Sequence, residues 1–360
     1  MTAFRVPADR LRAAVAPVLP EGATDDDAAL AARFAAGAWT VLPEPGDAAA
    51  GGMRAALGDE GALALLVDGA SPAAWLAALD DPELGALLPA ALQRWTPRLS
   101  AERMLSAFAQ AAAFGQRLVM PGDAHWPAQL DDLGPHAPAA LWVRGDPAAL
   151  ARAGRSAALV GSRASSGYGE LVAAQLAGGL VDRGLAVVSG GAYGIDGTAH
   201  RAALASGGTT IAVLAGGLDR LYPAGNEALL QRVVETACAV AEAPCGTPPT
   251  RWRFLARKRA CMRQSGRGVI VTWVPRWAAR ARAVSFTKRS MNETHPFASA
   301  SLTDGSLIPS SRTASNASTS GSVSCPWAMW CLIFSHSFRR VLTMLRDQCA
   351  LGLPRPAEIE

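Results

Sequence analysis

The sequence predicts an α/β protein, with a doubly wound, mostly parallel sheet preceded by a small helical domain. Three short apolar runs, Ala157 to Val160, Leu185 to Val188 and Thr210 to Ala215, end in glycines or Gly/Ser pairs. Ala-rich helical stretches follow the first two, giving a βαβαβ rhythm. The runs are continuous rather than alternating, which is the pattern of strands covered on both faces.

In chain order, residues 1–100 are rich in Ala and Leu and broken by Pro17, Pro20, Pro43, Pro45 and Gly51-Gly52. Leu63, Leu66, Val67, Trp75, Leu76 and Leu79, then Leu84, Leu87, Leu88 and Leu92, fall at helical spacings, so short helices are expected. A further helix from about Ala101 to Phe114 ends at Gly115. Strands are predicted at Arg117 to Met120 and Ala140 to Gly145, separated by a loop with Trp126-Pro127 and Leu130. After Gly161 a helix starting near Tyr168-Gly169 buries Val172, Leu176 and Leu180. Another follows Asp196, a third runs from Asn226 to Val234, and Cys238 to Ala241 and Val269 to Val271 read as strands. Residues 273 to 282 and beyond show neither period.

The net charge of +4 conceals a gradient along the 360 residues. Residues 1–100 carry 7 Arg against 13 acids (−6), residues 101–250 carry 10 against 12 (−2), and residues 251–360 carry 17 bases against 5 acids (+12). The basic end suits a nucleic acid. Met1 to Val15 holds Arg5, Asp9, Arg10 and Arg12 without an apolar centre, unlike a signal peptide. The apolar run Trp327 to Phe334 falls far short of the roughly 20 residues of a membrane span, so a cytoplasmic protein is expected. The six cysteines include no CxxC and no histidine at finger spacing, so neither a disulfide framework nor a metal site is expected.

The chemistry concentrates in two glycine loops. A strand, then Gly161-Ser162-Arg163, then a helix places backbone N–H groups, a hydroxyl and a guanidinium at one turn, the combination that attracts phosphate. Ser189-Gly190-Gly191-Ala192-Tyr193-Gly194-Ile195-Asp196 forms a second loop, with Asp196 available to cap the next helix. Both fall at the carboxyl ends of strands, where open α/β sheets hold ligands. Neither is a dinucleotide fingerprint or a Walker loop, since Arg163 stands in place of the second glycine and no lysine precedes Lys258. Asp196 and His200, four apart on one helical face, fit either a metal or acid–base pair or a cap and a structural histidine. No nucleophile elbow accompanies them, so catalysis and cofactors are not expected. Downstream, Arg251, Arg253, Arg257, Lys258, Arg259, Arg263 and Arg267 interleave with Trp252 and Phe254, as on a nucleic-acid surface or a solvated helix face.

Taken together, these residues resemble the DNA-processing protein A family (DprA, also called Smf). The resemblance rests on Val160 to Arg163 with Tyr168-Gly169, Ser189 to Asp196 with His200, and Gly208 to Asp219. It continues through Tyr222-Pro223, Asn226, Glu242, Pro244 and Phe254, with Trp126-Pro127 and Leu141 to Gly145 upstream. It implies an extended Rossmann-like fold, single-stranded DNA as ligand, delivery of that DNA to the RecA recombinase in natural transformation, a homodimer, and no enzymatic activity. Mapped onto this sequence it points to Gly161, Ser162, Arg163, Ser189, Gly190, Gly191, Gly194, Asp196, His200, Arg257 and Arg259 as DNA- or phosphate-binding residues. The alternative is a nucleotide-binding or nucleotide-hydrolysing Rossmann-like enzyme of the lysine-decarboxylase-like kind.

The expected organisation is a helical domain over 1–100, the core over 101–284 with the resemblance strongest at 115–257, and a Ser/Arg-rich, poorly ordered tail over 285–360. From Lys258 the residue usage changes: lysines appear, four of the six cysteines follow, and residues 285–324 hold twelve serines. Where the family reads Arg-Asn-Arg, this chain has Arg257-Lys258-Arg259. A frameshift that replaced the family's C-terminal portion accounts for this, with a divergent native tail as the alternative.

Overall fold

The computed structural model describes residues 6–250, 253, 268–272 and 282–286, the last two segments by their backbone only. Arg257, Arg259 and the tail over 287–360 lie outside the described residues.

Six α-helices come first: α1 (Ala8–Val15), α2 (Asp27–Val41), α3 (Ala48–Val67), α4 (Pro72–Leu79), α5 (Pro82–Trp95) and α6 (Ala101–Ala113). From α2 to α6 each starts at an Asp or Ser whose side chain accepts backbone N–H bonds of the first turn: Asp26, Asp47, Ser71, Asp81 and Ser100. Part of the acidity of this region is therefore capping, which satisfies donors the helix cannot.

The sheet follows, with strand order β1-β2-β6-β5-β4-β3. β3 (Ser156–Ala158), β4 (Ala186–Ser189), β5 (Thr210–Leu214) and β6 (Cys238–Ala241) run parallel, while β2 (Leu141–Gly145) and β1 (Gln116–Val119) add an antiparallel edge beyond β6. The parallel strands are joined by α7 (Gly167–Asp182), α8 (Ile195–Ala205) and α9 (Glu227–Thr236). Buried residues fill every position of β3 to β6, as the unalternating apolar runs require. A separate antiparallel pair is formed by β7 (Gly268–Thr272) and β8 (Arg282–Phe286).

The pleat sorts side chains into two cores. On one face Leu118, Trp142, Ala241 and Leu214 join the apolar interior of the N-terminal helices, while Leu159 and Val187 pack with Ala177, Ala199 and Ala203 of α7 and α8. On the other, Val119, Val143, Val240, Ile211, Val188 and Val160 pack with Leu130, Leu150 and Ala153 of two 3-10 segments, Ala128–His136 and Pro147–Arg155.

Helices and sheet share side chains rather than merely touching. The Phe108 ring stacks on Phe34 at 5.6 Å and meets Trp142 edge-on at 5.4 Å, and the Trp142 indole donates to Thr40 Oγ1 at 3.0 Å. A Cβ on Gly37 of α2 would collide with the Phe108 ring, so this close approach requires glycine. A buried ion pair adds a polar bolt: Arg33 of α2 donates to both carboxylate oxygens of Asp123, at 2.8 and 2.7 Å, and to the Leu118 carbonyl.

Candidate nucleic-acid interface

The loops leaving the carboxyl ends of β3 and β4 interlock. Gly161 donates its N–H to Asp196 Oδ1 at 3.2 Å, and Ile195 donates its N–H to the Ser162 carbonyl at 3.2 Å. Gly194 lies between them at φ 73°, and a Cβ there would fall on the carbonyl oxygens of Ser162 and Arg163. Both the left-handed backbone and the lack of space require glycine.

The remaining hydroxyls and amides hold the loops to their own helices and to one another. Ser189 Oγ donates to the Leu159 carbonyl at 2.6 Å, joining the ends of β3 and β4. Ser162 Oγ donates to the Ala164 carbonyl, Ser165 Oγ to Glu170, and Ser166 caps α7 by accepting from Gly169. From the far side, buried Asn226 donates to the carbonyls of Gly191 and Ala192, both at 3.0 Å. The β5 and β6 loops are joined in turn by the Gly217 N–H to the Thr247 carbonyl.

The sequence-predicted residues therefore separate by depth. Gly161, Ser162 and Gly194 are half-buried and Arg163 is exposed, whereas Ser189, Gly190, Gly191, Asp196 and His200 are buried beneath them. Asp196 does not occupy the cap position: Gly194 does, and the Asp196 carboxylate, in the first turn of α8, turns back to the other loop. His200 Nδ1 lies 2.7 Å from Thr210 Oγ1, which itself donates to the Val187 carbonyl. This buried His–Thr contact ties α8 to β5. Arg257 and Arg259 lie outside the described residues.

Other groups at this edge went unnoticed in sequence. Arg201 reaches the first turn of α8, donating to Thr198 Oγ1 at 3.1 Å, and Arg220 is exposed in the loop after β5. Only their isolation from any motif hid them. Arg253, from the basic cluster, is turned inward: it binds Glu44 and donates to the Pro248 carbonyl, and Glu44 also pairs with Arg98. Among the described residues no group of His, Cys, Asp and Glu could hold a metal ion, and no helix is long and apolar enough to cross a membrane.

Residues 117–277 match the family model described as DNA recombination-mediator protein A. This stretch of the chain, a little under half of it, is similar to that family. It is 50% identical over 168 residues to DNA processing protein DprA of Mycobacterium tuberculosis, covering 44% of this chain and 43% of the relative. It is 37% identical over 134 residues to DNA processing protein DprA of Bacillus subtilis (37% and 44%), and 41% identical over 135 residues to protein Smf of Escherichia coli (37% and 35%). The chain thus spans less than half the length of these relatives. The X-ray structure of DprA from Streptococcus pneumoniae aligns with TM-score 0.46 and 28% identity over 52% of this chain and 64% of that one. DprA from Helicobacter pylori, solved for its single-stranded DNA binding mode, aligns with TM-score 0.39 and 26% identity over 46% and 73%. The family match reaches residue 277, past the change in residue usage at Lys258.

Proposed function

We propose that this chain binds single-stranded DNA along the carboxyl edge of its sheet and passes it to a RecA-type recombinase in the cytoplasm during DNA uptake and recombination. The observation that carries this reading is the interlocked pair of glycine loops with Arg163 exposed at their mouth, within a stretch similar to the recombination-mediator family. Gly161, Ser162, Arg163 and Gly194 are the contact residues; Ser189, Gly190, Gly191, Asp196 and His200 position them. Arg257 and Arg259, outside the described residues, are further candidates for phosphate contact. The helical region, at net −6, repels a polyanion and serves as a scaffold or protein contact.

Fluorescence anisotropy with a labelled oligodeoxynucleotide, single-stranded and as duplex, tests the ligand, and recombinase-driven strand exchange on protein-coated single strands tests the delivery step. Tighter binding of the single strand and faster exchange are expected. Equal affinity for duplex, or release of free base from nucleoside monophosphates above background, would shift the assignment to the hydrolase alternative. Sedimentation with and without DNA tests the homodimer.

A further inference from the structure

The chain has three tyrosines, and all three stand at the edge just described. Tyr168 lies in the first turn of α7 after β3, Tyr193 in the loop between β4 and α8, and Tyr222 in the loop after β5. They are 38%, 48% and 48% exposed. The other aromatics whose side chains are described set the contrast: Trp39, Trp75, Trp95, Trp142, Phe34 and Phe108 are fully buried, Trp126 is half-buried with its indole donating to Asp131, and exposed Phe114 sits under the Arg144 guanidinium at 5.7 Å. Among the described residues the exposed rings other than Phe114 thus stand at one edge, after β3, β4 and β5.

The Tyr193 ring is also held in place. Tyr193 Oη accepts the Gly225 N–H at 3.3 Å, and a Cβ on Gly225 would press into its ring, so Tyr193 bridges the β4 loop to the segment following Tyr222. Tyr168 has exposed Leu171 one turn on, extending an apolar surface along the start of α7. Adjacent strands are about 4.8 Å apart, which brings loops from β3, β4 and β5 within reach of neighbouring nucleotides of one strand.

A phosphate cradle alone reads any polyanion, duplex included; unpaired bases are what distinguish a single strand. Aromatic rings with two side-chain torsions and a wettable hydroxyl tolerate water when empty and offer a flat apolar face when a base arrives. We propose that Tyr168, Tyr193 and Tyr222 form a base-stacking platform that runs beside the glycine loops and selects single-stranded nucleic acid without reading its sequence. This rests on the DNA-binding reading above.

The experiment compares wild type, Tyr168→Ala, Tyr193→Ala, Tyr222→Ala, the three Tyr→Phe variants and Arg163→Ala on an oligothymidylate and on an abasic sugar-phosphate oligomer of equal length. Each Tyr→Ala change is expected to weaken oligothymidylate binding by roughly 5- to 150-fold, the span of one lost base–aromatic stack, while leaving the abasic oligomer unaffected. Tyr→Phe variants retain binding, and Arg163→Ala weakens both ligands. Tyrosine variants that bind oligothymidylate as wild type does, or lose both ligands equally, overturn the platform while leaving DNA binding intact. Wild type failing to bind either oligomer overturns the underlying reading as well. Unchanged DNA affinity with lost self-association or recombinase binding reassigns the rings to a protein contact and also overturns the proposal.

Discussion

Asp196 accepts the Gly161 N–H at 3.2 Å across 35 residues of sequence, so a carboxylate from the start of α8 holds the loop that follows β3. Asp196 is only 2% exposed, and removing its acceptor strands a donor. Asp196→Ala should destabilise the fold by about 1–3 kcal/mol, the cost of an unmade buried hydrogen bond. Asp196→Asn, which keeps an acceptor oxygen, should lose less. Urea unfolding of the three proteins checks the order; equal midpoints would show that the contact contributes nothing.

The Arg33–Asp123 pair joins the first long helix to the loop after β1, with side chains 6% and 14% exposed. Breaking one partner of such a pair leaves a buried charge uncompensated, so Arg33→Met should lose about 3–5 kcal/mol. Adding Asp123→Asn should recover much of it, because the two sites are coupled. A double-mutant cycle in urea measures this, and strictly additive losses would contradict the coupling.

How legible was this in the sequence? The four parallel strands and α7 to α9 announce themselves through unbroken apolar runs and glycine stops, so both loops could be placed at the carboxyl edge. The union of helices and sheet could not, because it depends on Phe34, Phe108, Trp142 and the Arg33–Asp123 pair, whose partners lie tens of residues apart and carry no periodic signal. The loop from Trp126 conceals a 3-10 segment, Ala128–His136, and β8 escaped because Arg282–Phe286 shows no alternation. Within the site, residue types were legible but depth was not. The spacing of Asp196 and His200 fits a cap and a structural histidine as well as a metal or acid–base pair, and only the pairing of β4 with β5 puts His200 against Thr210.

Cys245 supplies a pH-dependent test. Burial first, then the nearby Asp219 carboxylate, pushes its thiol from 9.0 up to about 11, opposed by the Gln116 amide donating to Sγ. A thiol that ionises later in the folded protein than in the unfolded chain means that the unfolded state loses its proton first. Its contribution to stability is therefore intact below pH 9.0 and lost as pH rises towards about 11. Peptide mapping after iodoacetamide treatment at pH 8.5 should leave Cys245 unlabelled in native protein and labelled in urea. Native labelling would show a more accessible or more acidic thiol.

Arg163 is exposed at the mouth of the interlocked loops, and its role separates a phosphate contact from a loop brace. If it meets one phosphate, Arg163→Ala should weaken single-strand binding with little change in melting temperature. It should also reduce the slope of log affinity against log salt by about 0.7, the counterion release of one single-strand contact. Arg163→Lys should restore the slope but not the full affinity, since an ammonium supplies the charge without the planar fork that grips two oxygens. A brace behaves oppositely: the alanine variant would melt earlier while its salt slope matched wild type. Because the tyrosine substitutions remove stacking and no charge, their salt slopes should stay at the wild-type value. Measured on the same samples, the two kinds of variant divide the edge into a part that reads charge and a part that reads bases. A tyrosine variant with a reduced slope would mean that it had displaced the loops carrying Arg163.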